Sequence, residues 1–96
     1  MEVITFVRGK VPSSKVEEFE TGYESLKKVP KPKGLIASYL LQDANDMEVY
    51  MIETVWESLE ALEKMRNEKK PAAPSLFLKV GAKPTLIIYN MMNKIS

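Results

Sequence analysis

Three segments of this 96-residue chain are apolar at consecutive positions rather than at alternate ones. They read Leu35-Ile36-Ala37-Ser38-Tyr39-Leu40-Leu41, Val49-Tyr50-Met51-Ile52 and Leu86-Ile87-Ile88-Tyr89. Each is short, rich in β-branched or aromatic residues and bounded by turn formers, as strands are. A strand with one wet face alternates apolar with polar side chains. Consecutive apolar positions therefore predict a sheet buried on both faces, and whatever lies between these strands must be arranged to achieve that.

A first strand is expected from Val3 to Val7, ended by Pro12, Ser13 and Ser14. Ser14 and Glu17 have the spacing of a capping box, in which each side chain bonds the other residue's backbone N–H. Val16, Phe19, Tyr23 and Leu26 recur at helical spacing and predict a helix from Ser14 to Lys28, with Gly22 weakening its middle by about 1 kcal/mol. Pro30-Lys31-Pro32-Lys33-Gly34 forms a stiff loop. Asp43-Ala44-Asn45-Asp46 supplies the turn of a hairpin between a strand from Leu35 to Gln42 and one from Glu48 to Trp56. Ser58 caps a second helix with the stripe Leu59, Leu62 and Met65; Pro71 and Pro74 end it. Ser75 to Val80 holds one or two helical turns closed by Gly81, and Pro84 introduces a last strand, Thr85 to about Met92.

The order β-α-β-β-α-β is the split pattern of ferredoxin-like α+β domains. Right-handed crossovers in both halves put the two helices on one face of a four-stranded antiparallel sheet. The other face, carrying Val49, Met51, Glu53 and Val55, then needs a cover. A second copy of the same sheet is the simplest one, so a homodimer is expected; the alternatives are an exposed patch or a different partner. One domain, residues 1–96, accounts for the length, and a chain this short buries only about two-thirds of its unfolded surface, so a partner would add to its core.

With 14 basic and 13 acidic residues the net charge is +1, which points to neither nucleic acid nor an anionic membrane as partner. Lys27, Lys28, Lys31 and Lys33 read as a solvated loop. Cysteine and histidine are absent, which removes disulfides, thiol catalysis, Ser–His–Asp sets and the commonest metal ligands; no metal and no cofactor are expected. The four glycines are isolated and form no phosphate loop. Glu2 and the lack of a long apolar core argue against a signal peptide, and no run approaches the roughly 18 apolar residues of a membrane span. The expected location is the cytoplasm.

Glu53-Thr54-Val55-Trp56-Glu57-Ser58-Leu59-Glu60-Ala61-Leu62 resembles the antibiotic biosynthesis monooxygenase family, in which a strand ends in Trp and a Ser-capped step enters the second helix. The first-strand exit, Val11-Pro12-Ser13-Ser14-Lys15 leading into Glu17-Glu18-Phe19, is similar to that family as well, and the order of elements matches over essentially the whole chain. The resemblance implies a dimeric α/β barrel, two sheets packed face to face, with a small apolar pocket between each sheet and its helices. It implies activities ranging from cofactor-independent oxygenation of aromatic or quinol-like compounds to heme degradation and isomerisation. The heme-degrading branch needs a histidine on the second helix and an asparagine on the first strand. This chain has no histidine, and its first strand offers only Thr5 and Arg8, so heme degradation is not expected. Arg66 and Asn90 are candidate polar partners for such a site. The residue four before Trp56 is Ile52, where the polyketide oxygenases are similar except for an Asn.

Strand alternation puts Tyr50, Ile52, Thr54 and Trp56 on one face. Trp56 either stacks on a flat ligand and offers its N–H for a hydrogen bond or is a plain core residue. If a pocket exists, those four residues line it, with Phe19 or Tyr23 of the first helix closing the far side. Glu53, on the opposite face, is either an acid–base group or half of a rim ion pair. The expected function is that of a cofactor-independent monooxygenase-like protein binding a small apolar or aromatic molecule. The alternative is a non-catalytic binding or sensing dimer on the same fold.

Overall fold

A computed structural model describing residues 1–96 contains β1 (Val3–Lys10), α1 (Val16–Ser25), β2 (Leu35–Gln42), β3 (Val49–Trp56), α2 (Leu59–Glu68), α3 (Ala72–Lys79) and β4 (Thr85–Asn90). Single 3₁₀ turns, Ser13–Lys15 and Leu26–Lys28, flank α1. The sheet order is β2-β3-β1-β4 and every neighbouring pair is antiparallel. This is the ferredoxin-like α+β arrangement expected from the element order. No helix is long and apolar enough to cross a membrane.

The sequence places the strands well and the helix ends less well. β1 continues past Val7 to Lys10, pairing Lys10 with Val49. Its outward cations find partners there: Arg8 lies 3.8 Å from Asp43 and Lys10 lies 3.4 Å from Glu48. Asp43 also orders the β2–β3 turn, its Oδ1 accepting from the N–H groups of Asn45 and Asp46. Those backbone donors, aided by Arg8, hold the Asp43 carboxyl below its ordinary pKa. The expected capping box of α1 does not form. Ser14 sits inside a 3₁₀ turn closed by the Lys15 N–H on the Pro12 carbonyl at 2.8 Å, so Lys15 occupies the cap position without a side-chain bond. Ser58 does cap α2, its Oγ accepting from the Ala61 N–H at 3.1 Å. Of the expected α2 stripe, Leu62 is buried and Met65 packs beside it, whereas Leu59 in the first turn is exposed.

α3 departs most from expectation. It begins at Ala72, directly after Pro71, and carries Pro74 in its first turn, where a missing N–H costs no helical bond. This short helix drops Leu76 and Phe77 onto the sheet and α1. The Phe77 ring lies against Gly9, where a Cβ would come within 2.7 Å of Phe77 Cδ1. It sits 4.7 Å from the Phe19 ring, which in turn is 5.4 Å from Tyr50. Gly22, unfavourable to α1 by propensity, leaves room for Leu76, whose Cδ2 would be 2.9 Å from a Cβ there.

The inner face of the sheet carries Val3, Thr5, Val7, Tyr50, Ile52, Thr54 and Trp56, all buried. The outer face is uncovered in the single chain. On it lie Val49, Met51, Glu53 and Val55, as alternation predicts, together with Tyr39 and Ile87, which are about half exposed. Val49 is already buried within its own chain at the hairpin, and Met51, Glu53 and Val55 are partly buried. Glu53 stands opposite Phe6 and Tyr39 and has no ion pair within the chain. β4 is an edge strand with all six residues exposed. Phe6 and Tyr89 meet edge to face at 5.6 Å on this outer surface.

Candidate functional site

The inner face is filled unevenly. At the Gly9 end, Val7, Phe19, Tyr50, Ile52, Leu76 and Phe77 form a closed cluster. At the Trp56 end only the first turn of α3, Ala72–Pro74, borders the face, and a cavity of about 460 Å³ opens between the sheet and its helices. Its floor includes Thr5, Thr54 and Trp56 from the two central strands and Leu86 and Ile88 from β4. Tyr23 and Leu26 of the first helical segment, Leu62 and Met65 of α2, and the loop after each helix complete the wall.

Trp56 is 3% exposed and packs with Val3, Leu62, Leu35 and Met65. Its indole Nε1 is buried without a hydrogen-bond partner. A buried donor left unpaired costs about 1–3 kcal/mol. Three hydroxyls lie nearby in the same wall. Tyr23 Oη and Ser38 Oγ are 2.9 Å apart, and Thr54 Oγ1 reaches Ser38 Oγ at 3.5 Å. The wall is thus mostly apolar, with a few polar groups supplied by α1, β2 and β3, the usual composition of a small-molecule site. No cluster of three or more carboxylates is placed to hold a metal ion.

The loop over the cavity is held by backbone geometry. Gly34 adopts φ +90°, its carbonyl accepts the Glu57 N–H at 2.8 Å, and a Cβ there would lie 2.5 Å from Ala61 Cβ. Only glycine fits both the left-handed conformation and the close approach. The loop is thereby tied to the step from β3 into α2, directly beside Trp56.

The sequence matches the antibiotic biosynthesis monooxygenase family over residues 3–70. The chain belongs to that family. Solved structures of similar fold include a conserved protein of Methanosarcina mazei, 17% identical with a TM-score of 0.75, the match covering 93% of this chain and 91% of that one. A variant of SnoaB, a cofactor-independent oxygenase of Streptomyces nogalater, is 15% identical with a TM-score of 0.75, over 98% and 96% of the two chains. A heme-degrading protein of Mycobacterium tuberculosis is 23% identical with a TM-score of 0.74 over the whole of both chains. At these identities the likeness is one of fold. A search of curated proteins finds no match.

In this antibiotic biosynthesis monooxygenase domain, the residues singled out from the sequence divide between two places. Trp56, Thr54 and Tyr23 line the cavity. Ile52, Tyr50 and Phe19 share the correct face but lie in the closed cluster, because α3 seals that end. These three do not line this cavity. Tyr50 is bonded instead within the fold, at 3.3 Å from Gln42 Nε2 and 3.4 Å from Glu20 Oε2. Burial raises its phenol above the ordinary pKa, and the Glu20 charge adds to the rise. Arg66 reaches the cavity, whereas Asn90 does not line it. Glu53 lies on the other face of the sheet, away from the cavity. Sequence reasoning does not single out Ser38, although it is the one aliphatic hydroxyl in the apolar run of β2 and that isolation marks it.

Proposed function

We propose that the cavity binds a small apolar or aromatic molecule and that the chain acts as a cofactor-independent monooxygenase. The observation that carries this reading is the cavity itself, bordered by apolar side chains and by Trp56, whose Nε1 is buried and unpaired. In such chemistry an activated carbon acid loses a proton to solvent, and the resulting delocalised anion passes one electron to dioxygen. The radical pair joins through a C–O bond to a peroxide, and loss of its terminal oxygen with the second C–H proton leaves a carbonyl. The balance is R₂CH₂ + O₂ → R₂C=O + H₂O. The protein's share is to exclude water, orient the ring and stabilise the anionic oxygen by hydrogen bonds. Trp56 Nε1 and the Tyr23–Ser38–Thr54 hydroxyls would fill the last of these roles.

Oxygen consumption with a panel of quinols and anthrone-like compounds tests this. Uptake that saturates with substrate and disappears in Trp56→Ala is the expected result. Saturable change in Trp56 emission with no oxygen uptake would favour a binding or sensing module instead. Trp56 is the only tryptophan, so its emission reports the cavity directly.

The second part of the proposal is that two copies pack through the outer sheet face. The face presents Met51, Val55, Tyr39 and Ile87 to solvent in the single chain, and a sheet-on-sheet dimer would bury about 1,600 Å² or more in total. Light scattering should give twice the 10.9 kDa chain mass, and a mass of one chain would overturn this part. Met51→Asp puts an unpaired charge into the interface and should yield monomer or unfolded chain, which circular dichroism tells apart.

A further inference from the structure

Basic and acidic side chains are segregated at the cavity. Lys27, Lys31, Arg66, Lys69 and Lys70 line it, and no aspartate or glutamate does, in a chain whose 14 basic and 13 acidic residues nearly balance. These cations come from two separate parts of the chain: the segment after α1, and the last turn of α2 with the linker to α3. All five are exposed, which places them at the rim, while the buried wall is apolar and carries the unpaired indole donor. Elsewhere four of the nine cations are paired, Arg8 with Asp43, Lys10 with Glu48, Lys15 with Glu18 and Lys64 with Glu68. At the rim only Lys27 has such a partner, Glu24 at 3.1 Å; Lys31, Arg66, Lys69 and Lys70 have none. Lys27, Lys28, Lys31 and Lys33 are all exposed, as a solvated stretch requires; Lys27 and Lys31 also border the cavity mouth.

A cleft of one charge sign with low-dielectric walls concentrates its field at the mouth. Resting on the reading that the cavity takes a small apolar or aromatic molecule, we infer that its preferred ligand is amphipathic and anionic. A ring system would sit against Trp56, and a carboxylate, sulfonate or phosphate would sit at the rim among Lys31, Arg66, Lys69 and Lys70. The rim group stays partly hydrated, so its pairing selects the ligand class and orients it with the ring end inward. A membrane or nucleic-acid surface does not meet this geometry, because the cations surround an opening of apolar walls rather than a flat or grooved basic face.

Two probes that share an aromatic body separate the two readings: anilinonaphthalene sulfonate, which is anionic, and N-phenylnaphthylamine, which is not. Both are titrated against the full chain by quenching of Trp56. The sulfonate should bind about tenfold more tightly at low salt, and raising salt from about 0.02 M to about 0.5 M should remove most of that advantage while leaving the neutral probe unchanged. Arg66→Gln/Lys69→Gln/Lys70→Gln should abolish the preference, and Lys27→Gln/Lys31→Gln, from the other side of the rim, should reduce it. Arg8→Gln/Lys10→Gln, on the outer face of the sheet, should leave it intact. Equal affinity for both probes, insensitive to salt, would overturn the anionic preference while leaving the cavity reading standing. A preference lost in the Arg8/Lys10 variant instead would overturn it by placing the probe on the outer face. If neither probe changes Trp56 emission saturably, the underlying cavity reading fails as well.

Discussion

The two ends of one sheet face are built from the same strands and have opposite fates. At the Gly9 end a glycine lets Phe77 descend onto β1, and three aromatic rings close over Ile52. At the Trp56 end the largest side chain of the sheet is buried, yet its N–H faces no partner and the space beside it stays open. Burial is nearly equal at the two ends: Tyr50 is 6% exposed and Trp56 3%. Fractional exposure therefore does not distinguish closed core from cavity wall here. What distinguishes them is whether helical side chains fill the space above the face and whether each buried polar group is paired.

The sharpest way to break this comparison is to truncate one ring at each end. Phe77→Ala should cost about 3–5 kcal/mol, because a sealed site cannot refill. Trp56→Ala should cost less, about 2–3 kcal/mol, because it widens a space that already exists and loses mainly the transfer term. Urea unfolding at one fixed protein concentration measures both. A Trp56→Ala cost equal to or above that of Phe77→Ala would make the Trp56 end ordinary core.

A smaller effect is expected of Gly9→Ala. The added methyl would meet Phe77 Cδ1 at 2.7 Å, and overpacking of this kind costs about 1–3 kcal/mol. The change should leave ligand-induced quenching of Trp56 intact, since the clash lies at the sealed end.

The smallest effect concerns Tyr50, with its two long hydrogen bonds. Tyr50→Phe should cost about 1 kcal/mol at neutral pH. The folded phenol titrates above its ordinary value of 10.0, so as pH rises past that value the unfolded chain releases this proton while the folded chain retains it. Stability should then fall with rising pH, and Tyr50→Phe should flatten the alkaline slope. A slope unchanged by the substitution would assign it to other groups.

How far the sequence could be read follows from which physical signal carried each feature. Two-residue alternation put Tyr50, Ile52, Thr54 and Trp56 on one face and Met51, Glu53 and Val55 on the other, because side-chain direction in a strand is local. It could not say where along that face the packing stops, because that depends on α3. Pro71 and Pro74 read as helix breakers, yet α3 tolerates a proline in its first turn. The true start at Ala72, and with it the placement of Leu76 and Phe77, was hidden. Alternation and the α1 stripe put Phe19, Tyr50 and Ile52 on the cavity's side of the sheet but not beside it. Ser58 was legible as a cap because the motif is local. Ser14 was not, since a preceding 3₁₀ turn shifts the helix start. The rim cations could not be seen as a group, because Lys31 and Arg66 are joined only through the fold.

The edge position of β4 has a consequence for handling the chain. Thr-Leu-Ile-Ile-Tyr-Asn is uncharged, free of proline, strongly β-forming and exposed along its whole length in the single chain. Such a hexamer is a template for strand addition and fibril-like stacking. Lys83 and Pro84 before it and Lys94 after it act as gatekeepers at the ends of the segment, but none interrupts its middle. Colloidal behaviour should therefore track assembly. If the outer faces pair as proposed, conditions or substitutions that separate the copies should produce precipitate nucleated at β4.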